Sequence, residues 1–228
     1  MEKLAISQLV SLDWQTAEAL KTLRTNLMFC GENVRAVALT SFSASEGKST
    51  ISFQLAVSLA QAGKRVLYLD TDLRKSVLRN RLHVRGKVEG LSHYLSGMAN
   101  VNDLVVSTDI PGMYVMFAGV LVPNASELLG GEAFKRLIPA LKDVFDYVIV
   151  DTPPLGQVID CAIMAPQLDG TIIVMDSTNN SYKMEKRMVA QLEKSGGKIL
   201  GVILNRVSFE DRGRYYGKDY AYGDYNEM

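Results

Sequence analysis

The chain has 228 residues, 47% of them hydrophobic and 22% charged, enough for one globular domain with a sizeable core. Lys plus Arg and Asp plus Glu both number 25, so the net charge is zero and argues against bulk attraction to nucleic acid. Cys30 and Cys161 form neither a metal-type spacing nor a disulfide framework, the stretch Met1 to Ala5 lacks the apolar core of an export signal, and no run approaches the roughly 18 apolar residues of a membrane span.

Residues 1–12 show no period and are expected to be loosely held. From there Trp14, Ala17, Leu20, Leu23, Leu27 and Met28 recur every three or four positions, which predicts an amphipathic helix capped by Asp13. Glu18, Lys21 and Arg24 are spaced by three on its polar side. The default expectation is a solvated face with an i,i+3 ion pair; the alternative is a charged seam against another subunit.

The segment that follows carries the chemistry. Ala36 to Thr40 is an apolar run of β-formers, Ser41 to Glu46 are mostly small and polar, and Gly47-Lys48-Ser49-Thr50 leads into an apolar helical pattern from Ile51 to Ala60. Strand, small-residue loop and helix are the context that a Walker A reading requires. In such a loop the backbone N–H groups of Ser43, Ala44, Ser45, Glu46 and Gly47 turn toward phosphate oxygens, and the helix adds its unpaired amides and positive end. Lys48 reaches the β- and γ-phosphates, Ser49 offers a hydroxyl to Mg²⁺, and Thr50 lies near the α-phosphate. The usual first Gly of the motif is Phe42 here, so the loop must turn without it.

Gly63 is placed to close the phosphate helix. The strand Arg65 to Asp70 comes next, then a polar, basic stretch from Arg74 to Arg85. Gly90 to Leu95 reads as helix, Met113 to Phe117 as strand, and Asn124–Leu129 and Glu132–Val144 as two helices. Asp146 to Asp151 is a strand, Ala162 to Ala165 helical, Gly170 to Met175 a strand, Ser181 to Lys194 an amphipathic helix, and Ile199 to Leu204 the last strand. Near-continuous apolar strands alternating with helices predict an α/β, doubly wound, mostly parallel sheet covered on both faces. Ligands then lie beyond the carboxyl ends of the strands, where Lys48, Asp70, Asp72 and Asp151 all fall. Asp70 and Asp72, two residues apart, could hold Mg²⁺ or share a proton, and Asp151 at its strand end fits a Walker B carboxylate. Asn205, with Arg206 after it, offers a donor and an acceptor to an adenine edge; an ordinary turn is the competing reading.

The order Ser45-Glu46-Gly47-Lys48-Ser49-Thr50, then Leu67-Tyr68-Leu69-Asp70-Thr71-Asp72-Leu73-Arg74, then Tyr147-Val148-Ile149-Val150-Asp151-Thr152-Pro153-Pro154 resembles the bacterial tyrosine kinases, P-loop kinases unrelated in fold to the eukaryotic ones. The resemblance extends over nearly the whole chain, including Glu18–Asn26 and the segment from Gly119 through Pro123 to Leu129. Partitioning and septum-site ATPases carry a second Lys early in the loop, where this chain has Ser43, which favours the kinase branch. Departures from the family pattern are Lys21 for Arg, Ser76 for Pro, and Phe42 and Ala44 in the loop.

The resemblance implies a single P-loop kinase domain over 1–207, with residues 13–29 as its oligomerisation helix contacting neighbours through Glu18, Lys21 and Arg24. It implies ATP and Mg²⁺, the metal near Ser49, Asp72 and Asp151, with Asp70 as the base toward tyrosine. Residues 208–228 hold five of the ten tyrosines and almost no aliphatic residues, a composition that predicts a flexible tail. The family implies that Tyr215, Tyr216, Tyr220, Tyr222 and Tyr225 are phosphoacceptors, served in trans within a ring of identical subunits. It further implies a separate transmembrane activator, recruitment from the cytoplasm to the inner face of the cell membrane, control of capsule or exopolysaccharide synthesis and export, and a tyrosine phosphatase or other proteins as partners, without nucleic acid. A partitioning-type switch ATPase and a nucleotide-dependent scaffold remain as other readings.

Overall fold

The apolar runs assemble into one seven-stranded sheet. The computed structural model describes residues 3–9, 12–84, 86–178 and 182–207; the tyrosine-rich segment 208–228 lies outside the described residues. In chain order the strands are β1 (Ala36–Ser41), β2 (Val66–Asp70), β3 (Val106–Ser107), β4 (Met113–Met116), β5 (Tyr147–Asp151), β6 (Gly170–Asp176) and β7 (Ile199–Asn205). Their spatial order is β3-β4-β2-β5-β1-β6-β7, and every neighbouring pair is parallel except β3 with β4. Strands β1 and β2 are buried along their whole length, the reason they read as unbroken apolar runs.

The helices are α1 (Trp14–Phe29), α2 (Lys48–Gln61), α3 (Leu78–Arg81), α4 (Leu91–Leu95), α5 (Val101–Leu104), α6 (Ala125–Gly130), α7 (Glu132–Val144), α8 (Asp160–Met164) and α9 (Tyr182–Lys194). They cover both faces of the sheet. One core joins Leu91, Leu129, Phe134, Leu141 and Leu192 from α4, α6, α7 and α9 to Leu67, Val148 and Ile173 of the strands. The other joins Leu27, Phe53, Leu59 and Leu78 from α1, α2 and α3 to Val37, Tyr68 and Val174. Alternate residues of β1, β2, β4, β5 and β6 feed the two cores, as the two-residue period of a pleated sheet requires.

Several local expectations hold and others change. Asp13 caps α1, its carboxylate accepting from the Thr16 amide at 2.9 Å. The apolar stripe of that helix is shorter than its sequence period suggests: Leu20 and Leu27 are buried, while Trp14 is 76% exposed. Glu18 and Lys21 form the i,i+3 pair at 2.6 Å. Arg24 instead turns toward α2, donating to the Ser58 carbonyl at 2.9 Å. Within the described part of residues 1–12, the segment from Leu4 to Ile6 is held, contrary to the expectation. Leu4 bridges Thr108, Ile6 is fully buried, and Asp109 accepts from the Ile6 amide at 2.8 Å. The two-residue strand β3 and the helices α3 and α5 had no separate sequence signal, because each is too short to show a period.

Candidate active site

Strand register sets the site. Strands β2 and β5 pair with Asp70 opposite Asp151, so two carboxylates end side by side at the carboxyl edge of the sheet. One strand over, β1 ends at Ser41 and runs into the loop before α2. The ends of β6 and β7 sit beyond it, with Asp176 opposite Asn205.

The loop turns through Ser45 at φ 66° and Gly47 at φ 88°. Gly47 is the position where glycine is required twice over: the left-handed backbone disfavours a side chain, and a Cβ there would lie 2.2 Å from Asn205 Nδ2. Phe42, standing where the motif usually has Gly, is accommodated by a glycine elsewhere. A Cβ on Gly156 would lie 2.3 Å from the Phe42 carbonyl oxygen and 2.9 Å from its ring. Within the loop the Ser43 amide donates to Glu46 Oε2 at 3.2 Å, and burial raises the Glu46 pKa above the ordinary carboxylate range. Among the described residues, the amides of Gly47, Lys48 and Ser49 donate to no protein acceptor. Unpaired amides at the start of a 14-residue helix suit phosphate oxygens.

Lys48 is buried at the start of α2. Its Nζ donates to Asp151 Oδ1 at 2.6 Å and to Ser49 Oγ at 3.1 Å. Both partners of the Lys48–Asp151 pair are buried, so each neutralises the other where water cannot. Ser52, one helical turn after Lys48, donates to the same Asp151 oxygen at 3.1 Å and lies 3.5 Å from the Tyr68 hydroxyl. Asp70 is buried and accepts from the Asp72 amide at 3.1 Å and from the Ser76 hydroxyl. Burial first, and then the charge on Asp151, push its pKa from 3.8 up to about 7. Burial also drives the Tyr68 hydroxyl well above its ordinary range, so it stays a neutral donor. Asp72 caps the turn that follows, one oxygen accepting from the amides of Arg74 and Lys75 at 3.2 and 2.8 Å.

Ser49, Asp70, Asp72 and Asp151 line one small cleft together with Tyr68, Ser76, Val77, Leu78 and Arg81. The oxygens of Ser49, Asp72 and Asp151 are the hard donors Mg²⁺ prefers. Among the described residues, no cluster of three or more His, Cys, Asp or Glu side chains is placed to cage a metal. Two carboxylates and a hydroxyl fit an ion that shares its shell with phosphates and water, which is how Mg²⁺ usually binds.

Other groups at the site were not singled out from sequence. Arg81 donates to Thr50 Oγ1 at 3.1 Å. Behind the acids, Arg74 grips the fully buried Asp160 through two nitrogens at 2.8 and 3.1 Å, and Ser126 donates to the same carboxylate at 2.6 Å. Ser52 could have been found by its i+4 spacing from Lys48. The Arg74 partner lies 86 residues away and had no local signal. The Asn205 Nδ2 donates to the Glu46 carbonyl at 2.9 Å, which ties the end of β7 to the loop. Arg206 donates to the Ser45 carbonyl at 2.7 Å and pairs with Asp176.

A mostly parallel sheet, a lysine-bearing loop before a helix and paired acids at the strand ends define a P-loop nucleotide-binding protein. Comparison with known proteins narrows this. Residues 34–200 match the AAA domain family. The chain is 40% identical over 210 residues to the tyrosine-protein kinase CpsD of Streptococcus agalactiae, covering 90% of this chain and 92% of that one. It is 32% identical over 205 residues to the tyrosine-protein kinase YwqD of Bacillus subtilis, covering 88% and 86%. The kinase domain of the Escherichia coli tyrosine kinase ETK superposes with a TM-score of 0.78 at 32% identity, covering 84% and 77%. The cell division ATPase MinD of Pyrococcus furiosus superposes with a TM-score of 0.65 at 28% identity, covering 78% and 75%. The chain belongs to the bacterial tyrosine-protein kinase family and is a protein-tyrosine kinase.

Proposed function

We propose that this chain is an ATP-dependent autokinase that phosphorylates Tyr215, Tyr216, Tyr220, Tyr222 and Tyr225 of a neighbouring copy. The observation that carries this reading is the convergence of Ser49, Asp70, Asp72 and Asp151 on one cleft, with Lys48 paired to Asp151 beside unpaired loop amides. Phosphoryl transfer needs positioning and charge neutralisation more than covalent help, and these groups supply both. Lys48 and the unpaired amides of Gly47, Lys48 and Ser49 hold the phosphates within the loop 43–50, Lys48 giving up part of its contact with Asp151 as it does so. Ser49, Asp72 and Asp151 hold Mg²⁺, which when bound neutralises charge on the phosphate oxygens. Asp70 takes the proton of the incoming tyrosine hydroxyl; an Asp70→Asn chain that still autophosphorylated would exclude that role.

The described residues contain no helix long and apolar enough to cross a membrane. The family relationship supports a separate transmembrane activator, recruitment to the inner face of the membrane, a ring of subunits contacting through α1 with Glu18, Lys21 and Arg24, and control of capsule or exopolysaccharide synthesis and export. In this division of the chain, 1–207 form the kinase domain and 208–228 its substrate tail.

The test is incubation with Mg-ATP, with and without the activator's cytoplasmic fragment, followed by mapping of phosphate by mass spectrometry. Phosphotyrosine within 215–225 is the expected result. Mixing a Lys48→Met chain with an active chain whose five tail tyrosines are Phe should still phosphorylate the former. ATP hydrolysis without phosphotyrosine would instead support a switch ATPase, and nucleotide binding with neither would support a scaffold.

A further inference from the structure

We infer that Asp160 and Ser126 are positioning residues for phosphoryl transfer: through the Arg74 guanidinium they set the turn whose amides hold the Asp72 carboxylate. This inference rests on the reading of Asp72 as an oxygen ligand for Mg²⁺. Asp72 Oδ1 accepts from the amides of Arg74 and Lys75 at 3.2 and 2.8 Å, so the carboxylate sits where those two amides put it. The amides are in turn placed by the Arg74 side chain. Its Nε donates to Asp160 Oδ2 at 2.8 Å and its Nη2 to Asp160 Oδ1 at 3.1 Å, a two-point grip that fixes direction as well as distance. The same Nη2 donates to Ser126 Oγ at 2.7 Å, and Ser126 donates to Asp160 Oδ1 at 2.6 Å. One residue thus carries both an amide that meets Asp72 and a guanidinium anchored on α6 and α8.

The burial of the anchor argues for this role. Asp160 is fully buried, and its charge is met there by Arg74 and Ser126. A buried ion pair adds little net stability, because desolvation offsets the attraction, and apolar side chains of similar volume often serve the fold as well. Orientation is what the charged pair adds, since the planar fork of Arg holds two carboxylate oxygens in one fixed geometry. The neighbouring contacts leave that task to Arg74. The Leu73 carbonyl accepts from the Val122 amide at 3.0 Å and the Leu73 side chain is buried, which holds the middle of the turn. Lys75 is exposed, and the Ser76 hydroxyl donates to Asp70 within the same loop. The amide-bearing end of the turn is therefore tied across to α6 and α8 by the Arg74 side chain. Groups that orient a metal ligand from behind typically change metal affinity or activity by about 10- to 100-fold when removed.

Positioning separates from fold support in the double variant Arg74→Met/Asp160→Leu, which removes both charges and leaves neither stranded in the interior. Calorimetry on the full chain measures Kd for ADP in EDTA and in Mg²⁺, and the ratio of the two reports the metal site. Urea unfolding and initial rates of tail phosphorylation are read alongside. Positioning predicts an unfolding midpoint close to the parent's, an unchanged Kd for metal-free ADP, and a Mg²⁺-dependent tightening reduced about 10-fold, with kcat falling by a similar factor. Arg74→Lys keeps the charge but loses the fork; it should shift the same ratio in the same direction, and it decides the matter if the double variant does not fold. A folded variant that keeps the parent's ratio would overturn the proposal and leave the pair as fold support only. An equal loss of affinity for metal-free ADP would overturn it by placing the effect in the phosphate loop. A parent chain whose ADP affinity ignores Mg²⁺ would overturn the reading of Asp72 as a metal ligand, on which the proposal stands.

Discussion

Asp70 gives the sharpest pH-dependent consequence. Its folded-state pKa of about 7 lies above the usual 3.8 because the carboxylate is buried and stands beside Asp151. The unfolded chain releases this proton near pH 4, whereas the folded chain holds it until near pH 7. The folded state thus binds more protons across that window, and stability falls as pH rises through it. The contribution is fully present below pH 4 and lost above 7. A shift of about three units at 1.36 kcal/mol each corresponds to about 4 kcal/mol in total, of which about 3 kcal/mol falls between pH 5 and pH 8. Asn is nearly isosteric and cannot ionise, and its oxygen can still accept from the Asp72 amide. Asp70→Asn should therefore gain on the parent by about 3 kcal/mol between pH 5 and pH 8. The assay is urea unfolding of nucleotide-free protein in EDTA at both pH values, fitted with a common slope. Parallel pH–stability curves for parent and variant would refute the reasoning, since the gain would then come from packing and not from ionisation.

Three further substitutions test the geometry. Lys48→Met strands the buried Asp151 carboxylate and should cost about 3–5 kcal/mol at pH 8, with most of the loss restored by adding Asp151→Asn; urea midpoints of the single and double variants check this. Gly47→Ala places a Cβ where Asn205 Nδ2 lies 2.2 Å away, on a backbone at φ 88°, and should raise the Kd for ATP by well over 10-fold, read by calorimetry. Asp160→Asn breaks the grip on Arg74 and should lower the melting temperature by several degrees, corresponding to a loss of about 3 kcal/mol. It should also slow autophosphorylation, because the turn from Asp72 to Arg74 is held from that side.

The elements that were readable in the sequence are those whose stabilisation is local or periodic. Strands β1, β2 and β5 are buried on both faces, so their composition alone marks them, and the α2 pattern follows from its apolar contacts. The acids at the strand ends followed from where those runs stopped. What escaped depends on register between segments far apart in the chain. Nothing in Leu4 to Ile6 announces a segment held by Asp109, a partner over 100 residues away. Nothing around Phe42 points to Gly156, whose missing side chain makes room for it.

Arg24 shows the same limit within a helix whose existence was never in doubt. Spacing by three placed it with Glu18 and Lys21 on a polar side, and those two do pair in solvent. Spacing alone cannot say which neighbour a long side chain reaches. Arg24 reaches the Ser58 carbonyl, in the last turns of the helix whose first residue is Lys48. A cation there also meets the negative end of the α2 dipole, which favours the contact. Any subunit contact that draws on Arg24 must therefore either keep this bond or release it. In the second case assembly through α1 acts directly on the helix that carries the phosphate-binding lysine.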